Sequence, residues 1–340
     1  MNKYIIIFIF VAIGFQKSRA QDVQFSQFYA APLYLNPALT GANGQARVGI
    51  NYRNQWPAID ASFTTASAYF DYFISDYNSG VGIIVNTDKE GLAGLKSNNV
   101  ALSYAYHLNI NENITIRPGL SAGYTIRNID FNKLTFGDQF NPSTGEVILP
   151  TSGEGLSLEN VGYLDLGAGV MIYSHNLWVG FSASHLNTPD QAFSGGESRL
   201  SRKYSAHAGY KIRLKSTKMT GGHVPTRRER SITPTVHYKH QGKFDQLDLG
   251  VYFTLEPLIL GATYRGLPVK KLDGFPNNES AIFLIGFNQG DFNVGYSFDY
   301  TLSGLGINSG GAHEISISYN FSIGKEKPPK NVRQIPCPSF

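Results

Sequence analysis

The chain has 340 residues, of which 16% are charged and 13% aromatic, and it contains 36 glycines. Its 29 basic and 25 acidic residues nearly balance, which excludes the strongly basic surface of a nucleic-acid-binding protein, so no nucleic-acid partner is expected. The single cysteine, Cys337, excludes an intramolecular disulfide and an N-terminal lipid anchor.

Residues 1–20 have the pattern of a cleavable signal peptide. A basic head precedes an apolar run over residues 4–15, and the small residues Ser18 and Ala20 predict cleavage before Gln21. The run is shorter than the roughly 20 residues of a membrane-spanning helix, and a buried core helix is the less favoured alternative. No later apolar stretch is long enough to span, so a membrane location requires a β-barrel.

Residues 21–44 precede the first predicted strand and mix amides, aromatics and small residues without alternation. Asn36-Pro37 and Thr40-Gly41 predict turns. We expect this segment to lie inside or beneath a barrel lumen as a plug, and a disordered leader is the alternative. The candidate plug or partner-binding residues are Gln24, Phe25, Gln27, Phe28, Tyr29, Asn36 and Pro37.

Apolar and polar residues alternate with period two through residues 45–323, as they do in strands with two unlike faces. The polar face carries mostly Gly, Ser, Asn, Asp and Tyr, which suits the crowded interior of a closed barrel better than the wet face of a soluble sandwich. The prediction is an all-β, transmembrane, antiparallel up-and-down β-barrel of about 14 strands. The clearest strand has Phe292, Val294, Tyr296, Phe298 and Tyr300 on one face and Asp291, Asn293, Gly295, Ser297 and Asp299 on the other.

Fourteen strands are an even number, which predicts that both termini are periplasmic, with short periplasmic turns and longer external loops. The long external connections are expected at 128–160, 186–200 and 266–279. The connection 215–229 is long and basic although it should be periplasmic, and Pro118 and Pro234 within strands call for bulges. The predicted strands are 45–53, 62–74, 79–87, 97–107, 113–127, 161–173, 176–185, 201–214, 230–240, 245–254, 257–265, 280–288, 291–300 and 312–323.

Further candidate partner-binding residues lie outside the opening segment. Arg53 ends the first predicted strand, and Trp56 lies in the predicted first external loop, where it suits an interfacial aromatic belt or a partner contact. Residues 324–340 form a proline-rich periplasmic tail, predicted to cap the barrel, to dock a partner or to remain solvated. Its candidates are Pro336, Cys337 and Phe340, with the thiol expected to be packed or inert.

Motifs for catalysis and metal binding fail in their structural context. Ser121 lies in a Gly-x-Ser-x-Gly match, but that motif works only at a strand-to-helix turn and here falls in mid-strand. His237 and His240 point to opposite faces of a strand and so cannot share a metal. We therefore expect no catalytic residue, no metal and no cofactor.

Four sequence segments carry a resemblance to a known family. Residues 21–41 read Gln-Asp-Val-Gln-Phe-Ser-Gln-Phe-Tyr-Ala-Ala-Pro-Leu-Tyr-Leu-Asn-Pro-Ala-Leu-Thr-Gly, and residues 52–57 read Tyr-Arg-Asn-Gln-Trp-Pro. Leu-Asp-Leu-Gly at 247–250 and Ile-Pro-Cys-Pro-Ser-Phe at 335–340 extend the likeness to the last residue. On these motifs the chain resembles the PorP/SprF family.

The resemblance implies an outer-membrane protein of type IX secretion or gliding motility. Its implied partners are outer-membrane lipid, a secreted adhesin with a C-terminal sorting domain, and periplasmic ring or peptidoglycan-binding components of the machine.

A solute transporter of the fatty-acid-channel type is the first alternative function, although such a transporter needs an apolar lumen. A lipid-modifying outer-membrane enzyme is the second, although no strand presents the residues that it needs.

Overall fold

The strands form a single antiparallel sheet in a computed structural model. It describes residues 22–60, 62–91, 94–129, 134–150, 160–193, 196–214, 228–272, 275–304, 306–323 and 333–338, so the predicted signal peptide lies outside the described residues. The strands are β1 (Ala46–Gln55), β2 (Phe63–Ile74), β3 (Ser79–Glu90), β4 (Leu95–Tyr106), β5 (Leu108–Asn109), β6 (Thr115–Asn128), β7 (Asn160–Tyr173), β8 (Leu177–Ser184), β9 (Lys203–Tyr210), β10 (Ile212–Arg213), β11 (Arg230–Gln241), β12 (Phe244–Leu255), β13 (Leu258–Leu272), β14 (Phe275–Gln289), β15 (Phe292–Thr301) and β16 (Ala312–Phe321).

The sheet closes on itself because the first strand pairs with the last. β1 and β16 are in register from Ala46↔Phe321 to Gln55↔Ala312, and β1 pairs with β2 on its other side. The remaining long strands pair with their neighbours in chain order. Within the described residues the fold is a closed antiparallel barrel of fourteen long strands, which confirms the predicted architecture. β5 and β10 are two-residue pieces that continue β4 and β9.

Two prolines account for these separate pieces. The register on either side of the gaps places Pro118 of β6 opposite Tyr106 and Pro234 of β11 opposite Tyr210. Proline has no backbone N–H to donate, so the ladder is interrupted at both positions. The register is the same before and after each gap, so the predicted bulges are wrong: the strands break without shifting.

The two faces of the wall differ as the alternation predicted. In β1 the side chains of Val48, Ile50 and Tyr52 are exposed on the outside, whereas Arg47 and Arg53 are buried inside. The same division continues around the barrel, with Leu102 and Leu120 each 63% exposed in mid-strand. An apolar outer surface of this kind faces hydrocarbon in membrane barrels.

The two ends of the barrel differ in their connections. At one end, here the short-turn end, β1 begins and β16 ends, and the connections near residues 75–78, 174–176 and 290–291 are short. At the other, the long-connection end, lie the connections that follow β6 and β8. The basic connection 215–227 lies outside the described residues.

One predicted external loop is wrong. Residues 266–279 are mostly strand, because β13 continues to Leu272 and β14 begins at Phe275. The pairing shifts register after Arg265 and again after Leu267, and Gly266 has φ of 151°, a conformation that favours glycine. This irregular stretch hides the period-two signal from which strands are predicted.

Candidate functional site

The lumen is occupied by residues 22–45, which precede β1. This segment, here the N-terminal segment, contacts inward-facing side chains of strands on opposite sides of the barrel and contributes most of the largest buried apolar cluster. Its short turns are one α-helical turn, α1 (Pro32–Leu35), and two 3₁₀ turns, Phe28–Ala30 and Pro37–Leu39. Asn36 caps the last turn, since its Oδ1 accepts a hydrogen bond from the Ala38 N–H at 2.9 Å.

The segment starts at the long-connection end. Asp22 forms ion pairs with Lys203 at 2.6 Å and His185 at 2.7 Å, and its carboxylate also accepts from the Gln241 amide at 2.9 Å. These partners lie where β8 and β11 end and β9 begins, opposite the short-turn end where β1 begins. The described chain therefore starts and finishes at opposite ends of the barrel, which corrects the prediction that both termini lie on one side.

The ion pairs set the charge states around Asp22. Burial alone would raise the pKa of Asp22, but the charges of Lys203 and His185 outweigh it and hold the pKa well below its usual range. Burial likewise would lower the pKa of His185, but Asp22 and the nearby Asp165 raise it to about 9. His185 is therefore protonated at neutral pH and tethers the start of the segment.

Ser26 and Gln27 are held by one carboxylate of the wall. The Glu314 carboxylate accepts the backbone N–H of Ser26 at 2.7 Å and that of Gln27 at 3.0 Å. The Gln27 amide donates to the Ser297 hydroxyl at 3.2 Å and accepts from the Ser316 hydroxyl at 2.6 Å. Because β15 and β16 supply these groups from adjacent inward positions, the wall fixes both the backbone and the side chain of Gln27.

A buried ion-pair network surrounds the same two residues. Arg53 pairs with Asp299 at 2.9 Å and with Glu314 at 3.3 Å. Arg265 pairs with Asp299 at 3.1 Å and with Asp248 at 3.0 Å. The Ser26 hydroxyl donates to the Asp299 carboxylate at 2.6 Å, so the segment is part of the network. Charges buried this deeply are tolerated when they are paired and hydrogen-bonded.

Aromatic and imidazole rings pack around Phe28 and Tyr29. The Phe28 ring lies 4.8 Å from the His237 ring, and the Trp178 indole N–H donates to the Tyr29 hydroxyl at 3.1 Å. Trp178 is fully buried. Burial raises the pKa of Tyr29, so its hydroxyl stays neutral.

Glycines of the wall let the later part of the segment lie directly against the strands. A Cβ on Gly169 would come within 2.0 Å of the Asn36 side chain, and one on Gly119 within 2.4 Å of the Ala38 backbone N. The Arg117 guanidinium donates to the Ala38 carbonyl at 3.1 Å from the same wall. These glycines therefore make room for the segment.

The described C-terminal residues 333–338 fold back over the short-turn end. The Tyr173 hydroxyl donates to the Arg333 carbonyl at 3.0 Å, and Ile335 and Cys337 pack against the apolar cluster of the N-terminal segment. Burial raises the pKa of the Cys337 thiol, which is free and uncharged. Pro336 is buried, and Phe340 lies outside the described residues.

Two cavities flank the N-terminal segment. The first cavity, of about 160 Å³, faces the long-connection end and is lined mainly by β3, β4, β6 and β7, with β8, β9, their connection and the N-terminal segment completing the lining. The second, of about 390 Å³, lies at the short-turn end and is bounded by residues 334–338. The two cavities share no lining residue, because the segment lies between them.

The other predicted site residues occupy separate places. The Gln24 amide donates to Glu279 at 3.1 Å, and Phe25 packs edge-on against Tyr34 with ring centroids 5.4 Å apart. Trp56 follows β1 at the long-connection end, where its ring packs against that of Phe63. The structure thus brings the residues of the segment together with Arg53. Cys337 packs against the apolar cluster of the segment, whereas Trp56 lies apart. Binding of a partner by any of them stays a prediction.

Sequence reasoning missed the charged and aromatic residues of the wall that hold the segment. Each occupies the polar face of its strand, so the alternation contained a signal: a charged or large aromatic residue where small ones predominate. His237 is buried inside and His240 faces outward, as predicted from their spacing. The missed residues are Arg47, Asp71, Arg117, Trp178, His207, Asp248, Tyr252, Arg265, Asp299 and Glu314.

No helix in the described parts of the chain has both the length and the apolar composition to cross a membrane. Among solved structures, the outer-membrane protein Omp33 of Acinetobacter baumannii is similar at 9% identity over 82% of this chain and 98% of that chain, with a TM-score of 0.43. The toluene transporter TodX of P. putida is similar at 11% identity over 85% and 93%, with a TM-score of 0.46. No match was found among curated proteins.

The wall and the family indicate the same location. A closed barrel with an apolar outside and a polar, charged inside is the form in which strands cross the outer membrane. The family described as "Type IX secretion system membrane protein PorP/SprF" matches residues 17–319. The resemblance found in the sequence is thereby confirmed, and the chain is an outer-membrane β-barrel that belongs to the PorP/SprF family of type IX secretion membrane proteins.

Proposed function

We propose that this barrel is a non-enzymatic component that binds a secreted surface protein, an adhesin with a C-terminal sorting domain, and anchors it or assists its export. The observation that carries the proposal is the filled lumen. Buried hydrogen bonds to Glu314 and Asp299, together with the ion pairs of Asp22, hold the N-terminal segment between two cavities that share no lining residue. A barrel whose lumen holds its own chain offers its two ends as surfaces for partners.

An exposed apolar surface at the long-connection end supports this function. Phe140 and Val147 form an isolated bridge in the connection after β6, and Val147 and Ile148 are 57% and 55% exposed. Together with Leu149 they form a group that we name the loop patch: Phe140, Val147, Ile148 and Leu149. Contiguous exposed apolar residues mark interaction sites. In this proposal the long-connection end faces the cell surface, and the short-turn end faces the periplasmic ring or peptidoglycan-binding components.

The test is purification of tagged protein from its native cells in mild detergent, followed by identification of co-purifying proteins. Replacement of Val147, Ile148 and Leu149 by Ser should abolish recovery of the secreted protein. Replacement of Ile110 and Ile114, which are exposed at the short-turn end, by Ser is the matched control and should leave recovery unchanged. A barrel recovered alone that conducts ions or takes up fatty acid would instead establish the solute transporter.

A further inference from the structure

The first cavity contains charged groups that the N-terminal segment does not use. Its wall is built mainly from inward-facing positions of β3, β4, β6 and β7, and residues of β8, β9 and the connection between them complete it. The N-terminal segment closes it from the other side with Val23, Leu33 and Tyr34. Its volume of about 160 Å³ exceeds the roughly 30 Å³ that one water occupies in the liquid several times over. It therefore has room for part of a ligand.

Strand register brings three of its polar residues into one row. Asp88 of β3 is paired with Ser97 of β4, and Ser97 is paired with Arg127 of β6. Neighbouring strands lie about 4.8 Å apart, so the backbones of Asp88 and Arg127 are about 10 Å apart with Ser97 between them. Glu90 lies two residues after Asp88 and so faces the same side. The row thus presents a cation across a short gap from two carboxyl groups that hydrogen-bond to each other.

Arg127 is a buried cation that makes no ion pair within the described residues. It is 7% exposed, its Nε donates to the Ser97 hydroxyl at 3.2 Å, and its Nη1 donates to the Gln191 side chain. The guanidinium also lies over the Phe193 ring at 5.8 Å. Among the described residues no carboxylate lies within ion-pair distance of it. Because a buried charge is costly when unpaired, this guanidinium is prepared for an anion from outside the chain.

The carboxyl groups of Asp88 and Glu90 lie on the other side of the gap from Arg127. Asp88 is 5% exposed and accepts from the Thr65 hydroxyl at 2.5 Å, and within the described part of the chain neither it nor Glu90 has a basic partner. The other acids of the cavity differ, because Asp22 and Asp165 are neutralised by Lys203 and His185. The side-chain oxygen of Asn86, a residue 8% exposed, is buried without a hydrogen-bond partner.

We propose that the first cavity binds the free C-terminal end of an extended peptide whose last side chain is basic. Arg127 binds the terminal carboxylate, Asp88 and Glu90 bind the cationic side chain, and the Asn86 oxygen accepts a peptide N–H. Capture of a terminal carboxylate by a planar guanidinium gives both charge and geometric specificity. The inference rests on the proposed function, because it supplies a chemistry by which the long-connection end recognises a secreted protein.

The test is fluorescence anisotropy with the full-length protein in detergent micelles. The probe is a fluorescein-labelled hexapeptide, Gly-Ser-Gly-Ser-Ala-Lys, with a free carboxylate. It should bind at least about tenfold more tightly than the same peptide with a C-terminal amide or with Glu in last place. Arg127→Gln should remove the preference for the free acid, whereas Asp88→Asn combined with Glu90→Gln should remove the preference for Lys.

Arg199→Gln, which removes an exposed cation of the long-connection end, is the matched control and should bind as the unaltered protein does. Equal binding of the free acid and the amide, or no binding at millimolar protein, would overturn the inference, and equal competition by free lysine would overturn its assignment to a peptide end. If Arg127→Gln still recovers the secreted protein from cells, the site is wrong and the proposed function stands. If the unaltered protein recovers none, the proposed function fails.

Discussion

The Asp299 carboxylate links the N-terminal segment to charged residues of the wall. Its carboxylate accepts hydrogen bonds from Ser26, Arg53 and Arg265, and it is 3% exposed. Two buried guanidiniums therefore share this acid, and each has a further carboxylate partner. Removing the Asp299 carboxylate alone costs more free energy than its ion pairs contribute net to stability, because the two arginines then stay buried without it.

Asp299→Asn should lower the free energy of unfolding by about 3–5 kcal/mol, because two buried guanidiniums lose part of their counter-charge. Urea unfolding in detergent micelles, followed by the fluorescence of the buried Trp178, measures the change. Arg199→Gln, whose side chain is 64% exposed, is the control and should change stability by less than about 0.5 kcal/mol. Equal stability of the two variants would contradict the buried network.

His185 makes the attachment of the segment depend on pH. Its folded pKa of about 9 lies above the roughly 6.5 of an unfolded chain, so its stabilising effect is complete below pH 6.5 and is lost as pH rises through 9. His185→Gln should therefore lower stability by at most about 3 kcal/mol at pH 6 and hardly at all at pH 10. Urea midpoints measured from pH 6 to pH 10 test this, and a difference between the proteins that does not vary with pH would refute it.

At the scale of elements, the glycines of β6 and β7 adapt the wall to the N-terminal segment. Gly119→Ala should destabilise the protein by about 1–3 kcal/mol, because the new Cβ would meet backbone atoms of Pro37 and Ala38 that cannot rotate away. Limited proteolysis should then cleave the segment more readily. Gly137→Ala is the control, since no atom lies within 4 Å of its added Cβ. Unchanged proteolysis of the Gly119 variant would show that the segment does not rest on β6.

The strands could be predicted from sequence because the side-chain period is two and one face lies against lipid. The prediction failed at 266–279, where Gly266 and the register shifts of β13 break the alternation. Inward-facing charges were detectable from their positions, but their partners were not. Asp248 and Arg265 are neighbours across one strand pair, whereas Ser26 reaches them only through the path of the segment within the closed barrel. Contacts of that kind are set by the fold as a whole.

At the scale of the whole molecule, the position of the segment predicts the electrical behaviour of the barrel. The full-length protein should give no steady conductance in planar lipid bilayers, because the segment separates the two cavities. A variant without residues 22–44 should conduct in discrete steps, provided that it shows the heat-modifiable gel migration of a folded barrel. A steady current through the full-length protein would by itself contradict a closed lumen.

The start of the segment at the long-connection end also constrains how the barrel is assembled. Asp22 and Ala46 are at opposite ends of a closed ring of strands, so the leading peptide has to be enclosed lengthwise. The simplest order lays that peptide against a still open, curling sheet and joins β16 to β1 around it. A folded domain fused ahead of Asp22 would then obstruct the final joining of the strands, whereas an addition after the last residue would remain clear of it.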